Sequence, residues 1–214
     1  MKNFFVSMFF FSLPMIFAAA VFGQGIELPV PQKTGGTPVF DAMSGRLSTK
    51  AFTEKEVPLQ ALSTILWSAY GFNREDKRVI PTPLNKQHLS VYVFLKDAVY
   101  LYDAKTNKLI KKADGDHRKL VGMQDYVFSA PVNLLYMADN TAGMGSATPI
   151  SVGCAAQDVY LACGSLGLGC VVRTGGVSEN AAELRKVLKL TNRDEPIAAQ
   201  TIGYAKKTED AKKN

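Results

Sequence analysis

The spacing of apolar and polar positions changes several times along the chain, and each change marks an element. In "VPLQALSTILWSAYG", Leu59, Leu62, Leu66 and Ala69 recur at the three-to-four-residue spacing of a helix. Pro58 suits its first turn and Gly71 its end. "LSVYVFL" and "AVYLYDA" then flank Lys96-Asp97, which predicts a tight hairpin, and "NKLIKKA" adds a third strand. "KLVGMQDYVFSA" predicts one short helix, ended by Pro131. "VNLLYMAD" follows as a buried strand and "NTAGMGSAT" as a flexible loop. "PISVGCAAQDVYLACGSLG" predicts a long helix rich in small residues, and "LGCVVRT" a strand. "SENAAELRKVLKL" predicts a helix with Ser178 as N-cap and Glu179 in its first turn. "PIAAQTIGYA" is the last strand. Helices and strands thus alternate around one sheet, an α+β or three-layer arrangement.

The two ends read differently. Lys2 precedes an almost wholly apolar run from Phe4 to Phe22, with small residues at Val21 and Gly23. This predicts a signal peptide over 1–23, cleaved after Gly23, and an exported, periplasmic protein. An uncleaved membrane anchor is the alternative, because the run approaches the roughly 20 residues that span a bilayer. Residues 24–40 are rich in Pro and Gly and predict an extended mature N-terminus, residues 41–206 the folded domain, and residues 207–214 a solvated polar tail.

Composition narrows the function by exclusion. Hydrophobic residues make up 47% and charged residues 21%, an ordinary globular mix. The net charge of +6 is scattered apart from the tail, with no basic face interleaved with aromatics, so nucleic acid is not an expected partner. Cys154, Cys163 and Cys170 cannot all pair within one chain. Cys154 and Cys163 would lie roughly 13 Å apart on one helix, too far for a disulfide, so the cysteines read as small buried hydrophobes. His88 and His117 are the only histidines, and neither has a ligand-spaced partner, which argues against a zinc centre or a catalytic triad.

Four stretches carry candidate chemistry. In "GRLSTKAF", Arg46, Ser48 and Lys50 alternate, so an extended segment points a guanidinium, a hydroxyl and an ammonium to one side, a set suited to phosphate. "PTPLNKQ" is an irregular, proline-rich loop. The glycines of "GSLGLGCVVRTGG" would let backbone approach a flat ligand, with Gly175 and Gly176 offering N–H donors. "AQTIGYAKK" is a strand running into Lys206 and Lys207. Small residues along the long helix, such as Gly153, Ala156 and Gly164, suit either tight packing within one subunit or a dimer core.

The order of these pieces resembles the FMN-dependent nitroreductase superfamily. "RLSTKAF", "PTPLNKQ", "APVNLLYMAD", "SLGLGCVVRTGG" and "AQTIGY" stand where that family has R-x-S-x-[RK]-x-F, P-S-x-x-N-x-Q, a central A-P-V strand, a helix ending in G-L-G with its glycine loop, and a strand ending in G-Y. "LWSAYGFNRED" followed by "KR" is similar to the branch of SagB-type, azoline-oxidising dehydrogenases. The resemblance implies a three-layer α-β-α sandwich with a central, mainly antiparallel sheet, in a domain-intertwined homodimer that binds FMN. Arg46 and Ser48 would hold phosphate and ribityl oxygens, and Lys50 would sit at the pyrimidine edge. Thr82, Pro83 and Asn85 would reach the flavin from the partner subunit. Val172, Arg173, Gly175 and Gly176 would line the ring, with a backbone N–H near N5. The chain departs from the family at Thr82-Pro83, at His88-Leu89 in place of a frequent aromatic, and in lacking a C-terminal arginine, which leaves Lys206 or Lys207 for that position.

The implied activity is ping-pong hydride transfer through flavin N5, between a small-molecule donor and a nitroaromatic, quinone or azoline-like acceptor. No side-chain nucleophile is required. Export conflicts with a nicotinamide donor, which is a cytoplasmic currency, so the donor stays open. A non-catalytic flavin- or ligand-binding envelope protein is the rival reading.

Overall fold

A computed structural model describes residues 25–206. The predicted signal peptide and the polar tail lie outside the described residues. Seven strands form one sheet in the order β1-β6-β5-β4-β7-β9-β8, and every neighbouring pair is antiparallel. They are β1 (Ile26–Glu27), β4 (Leu89–Phe94), β5 (Ala98–Asp103), β6 (Lys108–Asp114), β7 (Val132–Asp139), β8 (Gly169–Arg173) and β9 (Asp194–Gly203). A separate two-stranded ribbon joins β2 (Phe72–Arg74) to β3 (Lys77–Arg78).

Side chains alternate across the sheet and give each face its own core. Val91, Val93, Leu134 and Tyr136 face α2 (Leu59–Tyr70) and α4 (Ala147–Ser165), which contribute Leu62, Ile65, Leu66, Ala155 and Val159. Tyr92, Phe94, Leu135 and Met137 face the opposite layer. There Val127 of α3 (Tyr126–Ser129) and Leu184 and Leu188 of α5 (Ala181–Leu188) cover them. The result is the expected three-layer α-β-α sandwich. A buried polar link crosses one layer: Tyr136 donates to Gln200 Oε1 at 2.6 Å, and Gln200 Nε2 donates to the Ala156 carbonyl of α4 at 3.1 Å.

Four local expectations are corrected. The extended N-terminus ends early, because α1 (Val39–Ser44) begins behind Pro38 and straddles the expected boundary at residue 40. The helix expected over 119–130 is two pieces, a 3-10 turn at Arg118–Val121 and then α3, separated at Gly122, whose extended backbone (φ 171°) breaks the helical path. The loop "NTAGMGSAT" opens with a 3-10 turn at Asn140–Ala142 and its last two residues already belong to α4. The last helix begins behind Asn180, which stands at the N-cap position without a side-chain cap bond, and not behind Ser178. Glu179 lies before that helix and accepts hydrogen bonds from the Gly176 N–H (2.8 Å) and Ser178 Oγ (2.9 Å), which ties the preceding glycine turn instead.

Candidate functional site

Edge strand β8 and the end of β9 form the base of the site. The chain leaves α1 at Gly45 and runs extended along them. Thr49 N–H donates to the Cys170 carbonyl (3.0 Å), Thr53 N–H to the Tyr204 carbonyl (2.9 Å), and Lys206 N–H to the Ala51 carbonyl (3.0 Å). Thr49 and Phe52 point inward and are buried, and a Cβ at Gly169 would collide with the Thr49 side chain. That inward turn leaves Arg46, Ser48 and Lys50 exposed. Among the described residues, neither Arg46 nor Lys50 enters an ion pair. Lys206 is placed against the same segment through its backbone, and Lys207 lies outside the described residues.

Tyr160 of α4 connects these pieces. Its hydroxyl is 3.0 Å from Ser48 Oγ and accepts the Val172 N–H at 3.1 Å. The Arg46 guanidinium lies over its ring, 5.2 Å from the centroid. A groove of about 260 Å³ opens beside it, lined by Arg46, Leu47, Tyr160, Gly164, Gly167 and Ala205. Gly164 and Gly167 have open space where a side chain would stand, so the groove has a flat backbone floor. Sequence reasoning did not single out Tyr160. Its only signal is a hydroxyl-bearing aromatic in a helix otherwise rich in small residues.

The glycine loop after β8 behaves differently from its expected role. Arg173 turns into the protein. Its guanidinium donates to the Val121 carbonyl (2.7 Å), Asn133 Oδ1 (3.2 Å) and Thr201 Oγ1 (2.5 Å), and lies 5.9 Å from the Tyr126 ring centre. Burial pushes its pKa down to about 10, which leaves it charged at neutral pH. The Gly176 N–H is taken by Glu179, while Gly175 has nothing within 4 Å of a would-be side chain. Val172 therefore joins Ser48 at Tyr160, whereas the two terminal nitrogens of Arg173 and the N–H of Gly176 are spent inside the fold, and Arg173 Nε is buried there without a partner.

The loop bearing Thr82, Pro83 and Asn85 is tightly wound, with a 3-10 turn at Pro83–Asn85 and positive φ at Leu84, Asn85 and Gln87. Arg78 supports it. Its guanidinium is stacked between Tyr70 (4.1 Å) and Phe72 (4.0 Å), and its Nε donates to Gln87 Oε1 at 2.9 Å. Gln87 in turn donates to the Asp76 carbonyl (2.6 Å) and to Asn85 Oδ1 (3.1 Å). Asn85 is exposed, and none of Thr82, Pro83 and Asn85 lines the groove beside Arg46.

The cysteines and histidines build no reaction centre among the described residues. All three cysteines are free, and burial pushes the Cys163 thiol well above its ordinary pKa, away from the reactive thiolate. His88 is buried with Nε2 3.1 Å from Thr148 Oγ1, and desolvation lowers its pKa. No group of metal-binding side chains occurs among the described residues.

Residues 43–204 match the nitroreductase family along almost the whole described fold. The chain belongs to that family. A nitroreductase-assigned protein of Methanocaldococcus jannaschii is 28% identical over 181 residues, spanning 76% of this chain and 89% of its own. Among solved structures, a nitroreductase-assigned protein of Ralstonia eutropha JMP134 superposes with a TM-score of 0.77 at 34% identity, over 86% of this chain and 90% of that one. A further nitroreductase-fold structure, from Desulfovibrio desulfuricans and in complex with FMN, has a TM-score of 0.61 at 24% identity, over 81% and 89% of the two chains. The nitroreductase architecture is thus shared from α1 to the end of β9.

Proposed function

We propose that this nitroreductase-family protein is an FMN-dependent oxidoreductase. The observation that carries the reading is the meeting of Arg46, Ser48 and Val172 around Tyr160 at the sheet edge, in a chain matching the family over residues 43–204. The donor set suits a flavin nucleotide. Two exposed cations lie outside any ion pair among the described residues: Arg46 complements a phosphate and Lys50 the electron-rich ring edge, while one hydroxyl complements a ribityl oxygen and the glycine floor admits a flat ring. FMN supplies two-electron hydride chemistry when bound. The chain's residues hold and tune it. Arg46 and Ser48 bind the phosphate and ribityl oxygens, and Lys50, at the pyrimidine edge, favours the negative charge of the reduced state. Val172 and Gly175 supply backbone beside the ring, while Gly176, expected there too, is turned into the fold. Arg173 acts from behind, by fixing that backbone to β7 and β9.

The active unit in this reading is a homodimer. The groove beside Arg46 is open, and the exposed loop with Thr82, Pro83 and Asn85 is separate from it within one subunit. The loop is propped firmly enough by Arg78 to act across a subunit boundary. Asn85→Ala is expected to weaken FMN binding by about three- to tenfold, the range of one hydrogen bond, with the chain still folded although alanine suits the positive φ less well. Fluorescence titration with FMN measures the first and thermal unfolding the second; unchanged affinity would return the loop to a structural turn.

Donor and acceptor alternate at one face in a ping-pong cycle, with a nitroaromatic, quinone or azoline-like compound as acceptor. The "LWSAYGFNRED" segment supports the azoline-oxidising branch. Lys2 and the apolar run to Phe22 support export with cleavage after Gly23. The test is the absorbance spectrum of the purified protein after FMN addition, followed by anaerobic titration with NADH, NADPH and non-nicotinamide donors. Bound flavin bleached by one of them is the expected result, with Gln24 as first residue of the exported protein. A folded protein that takes up no FMN would refute the reading. Bound FMN that no donor reduces would favour the alternative of a non-catalytic flavin-binding envelope protein.

A further inference from the structure

The hydrogen bonds around Tyr160 have a direction. β8 is the edge strand, so its outer backbone groups have no strand partner beyond β9. The 46–50 segment takes one of them, the Cys170 carbonyl, through Thr49 N–H. The next outward donor along β8, the Val172 N–H, goes to the Tyr160 hydroxyl oxygen. An oxygen that accepts a hydrogen bond becomes a stronger donor. A phenol is also a more acidic donor than an alkyl hydroxyl. Both effects favour the Tyr160 hydroxyl as the donor to its neighbour 3.0 Å away, Ser48 Oγ. Ser48 then accepts from Tyr160, and its own proton turns away from it. Tyr160 is 9% exposed and Ser48 is exposed, so the chain of donors runs from a half-buried backbone amide to the surface.

We propose that Tyr160 is a positioning residue of the cofactor site. It orients Ser48 as a hydrogen-bond donor to an acceptor oxygen of the bound flavin nucleotide. This inference rests on the FMN-site reading above and adds to it a residue whose hydroxyl acts through Ser48. Tyr160 acts through Ser48, and Arg46 stacked on its ring keeps the phenol from swinging outward.

The experiment uses the full chain and FMN. Tyr160→Phe keeps the ring and removes the hydroxyl, and is expected to weaken FMN binding about three- to tenfold, the range of one hydrogen bond. Ser48→Ala is expected to weaken it by a similar factor, while Ser48→Thr, which keeps a hydroxyl, retains it. The double variant Tyr160→Phe/Ser48→Ala should bind no more weakly than Ser48→Ala alone, because the two groups act in series. Amide exchange gives a readout without cofactor: the Val172 amide should be protected in the unmodified protein and exchange faster in Tyr160→Phe. Additive losses, unchanged affinity in Tyr160→Phe, or an unprotected Val172 amide would each overturn the proposal. Failure of the unmodified protein to bind FMN refutes the FMN reading itself, and is distinguished from failure of the relay by a Val172 amide that still responds to Tyr160→Phe.

Discussion

Arg173→Ala is expected to cost about 3 kcal/mol of folding stability, the upper end of the scale for stripping buried neutral acceptors of a charged donor. The guanidinium satisfies three acceptors at once, on the turn before Gly122, on β7 and on β9. Asn133 is fully buried, its Nδ2 donates to the Val127 carbonyl at 3.0 Å and its Oδ1 also accepts from Thr201 Oγ1 at 2.5 Å, so it is held in place and cannot turn away. Removing Arg173 strips these acceptors of a charged donor and opens a void beneath Tyr126. Arg173→Met fills the void and should recover only the packing part of the loss. Urea unfolding checks this: the midpoint should fall sharply while the slope stays constant. A loss below about 1 kcal/mol, the scale of a single exposed interaction, would show that Arg173 is not the strut its contacts describe.

Gly176→Ala is the second large expectation, with a loss of about 2–4 kcal/mol from backbone strain and overpacking together. Gly176 has φ +87°, and a Cβ there would stand 2.6 Å from Gly122 Cα and 3.0 Å from the Met123 nitrogen. The obstacle is backbone, which has little room to yield. Gly175 is the internal control. It has nothing within 4 Å of an added Cβ and no positive φ, so Gly175→Ala should change stability by no more than about 0.5 kcal/mol. Thermal unfolding of the two variants side by side tests the contrast. Equal losses would mean that the crossing of the 122 and 176 backbones is not what fixes this turn.

These two expectations show why the candidate site was legible only in part. Arg46, Ser48 and Lys50 could be read as one polar face because an extended segment alternates by covalent geometry alone. Arg173 sits three residues beyond Cys170 at the end of a strand, with Thr174 between it and a glycine pair, and its local pattern equally suits a ligand-facing cation. Its inward turn depends on Asn133 and Thr201, 40 and 28 residues away in the chain. The single helix expected over 119–130 failed for the same reason. Its apolar spacing is helical, but Gly122 must pass beneath Gly176 and receive Arg173, and an uninterrupted helix would close that space. Ser178 lost the N-cap to Asn180 because Glu179 is drawn to the Gly176 amide.

The sequence by itself determined the strands β4 to β9 and the two long helices, since apolar periodicity is a local property that burial on one face enforces, whereas the short β1, β2 and β3 carry no such period. It also determined the family, through short motifs kept in order along the chain, and with it the three-layer sandwich. Only the tertiary structure decided which of the motif residues share a site. Tyr160 meets Ser48 and Val172 across separations of 112 and 12 residues, and no periodicity encodes such a meeting. Hydrogen-bond partners that distant are set by how α4 packs on the sheet. That packing turns the Val172 amide toward a phenol and sends the Arg173 guanidinium into the interior.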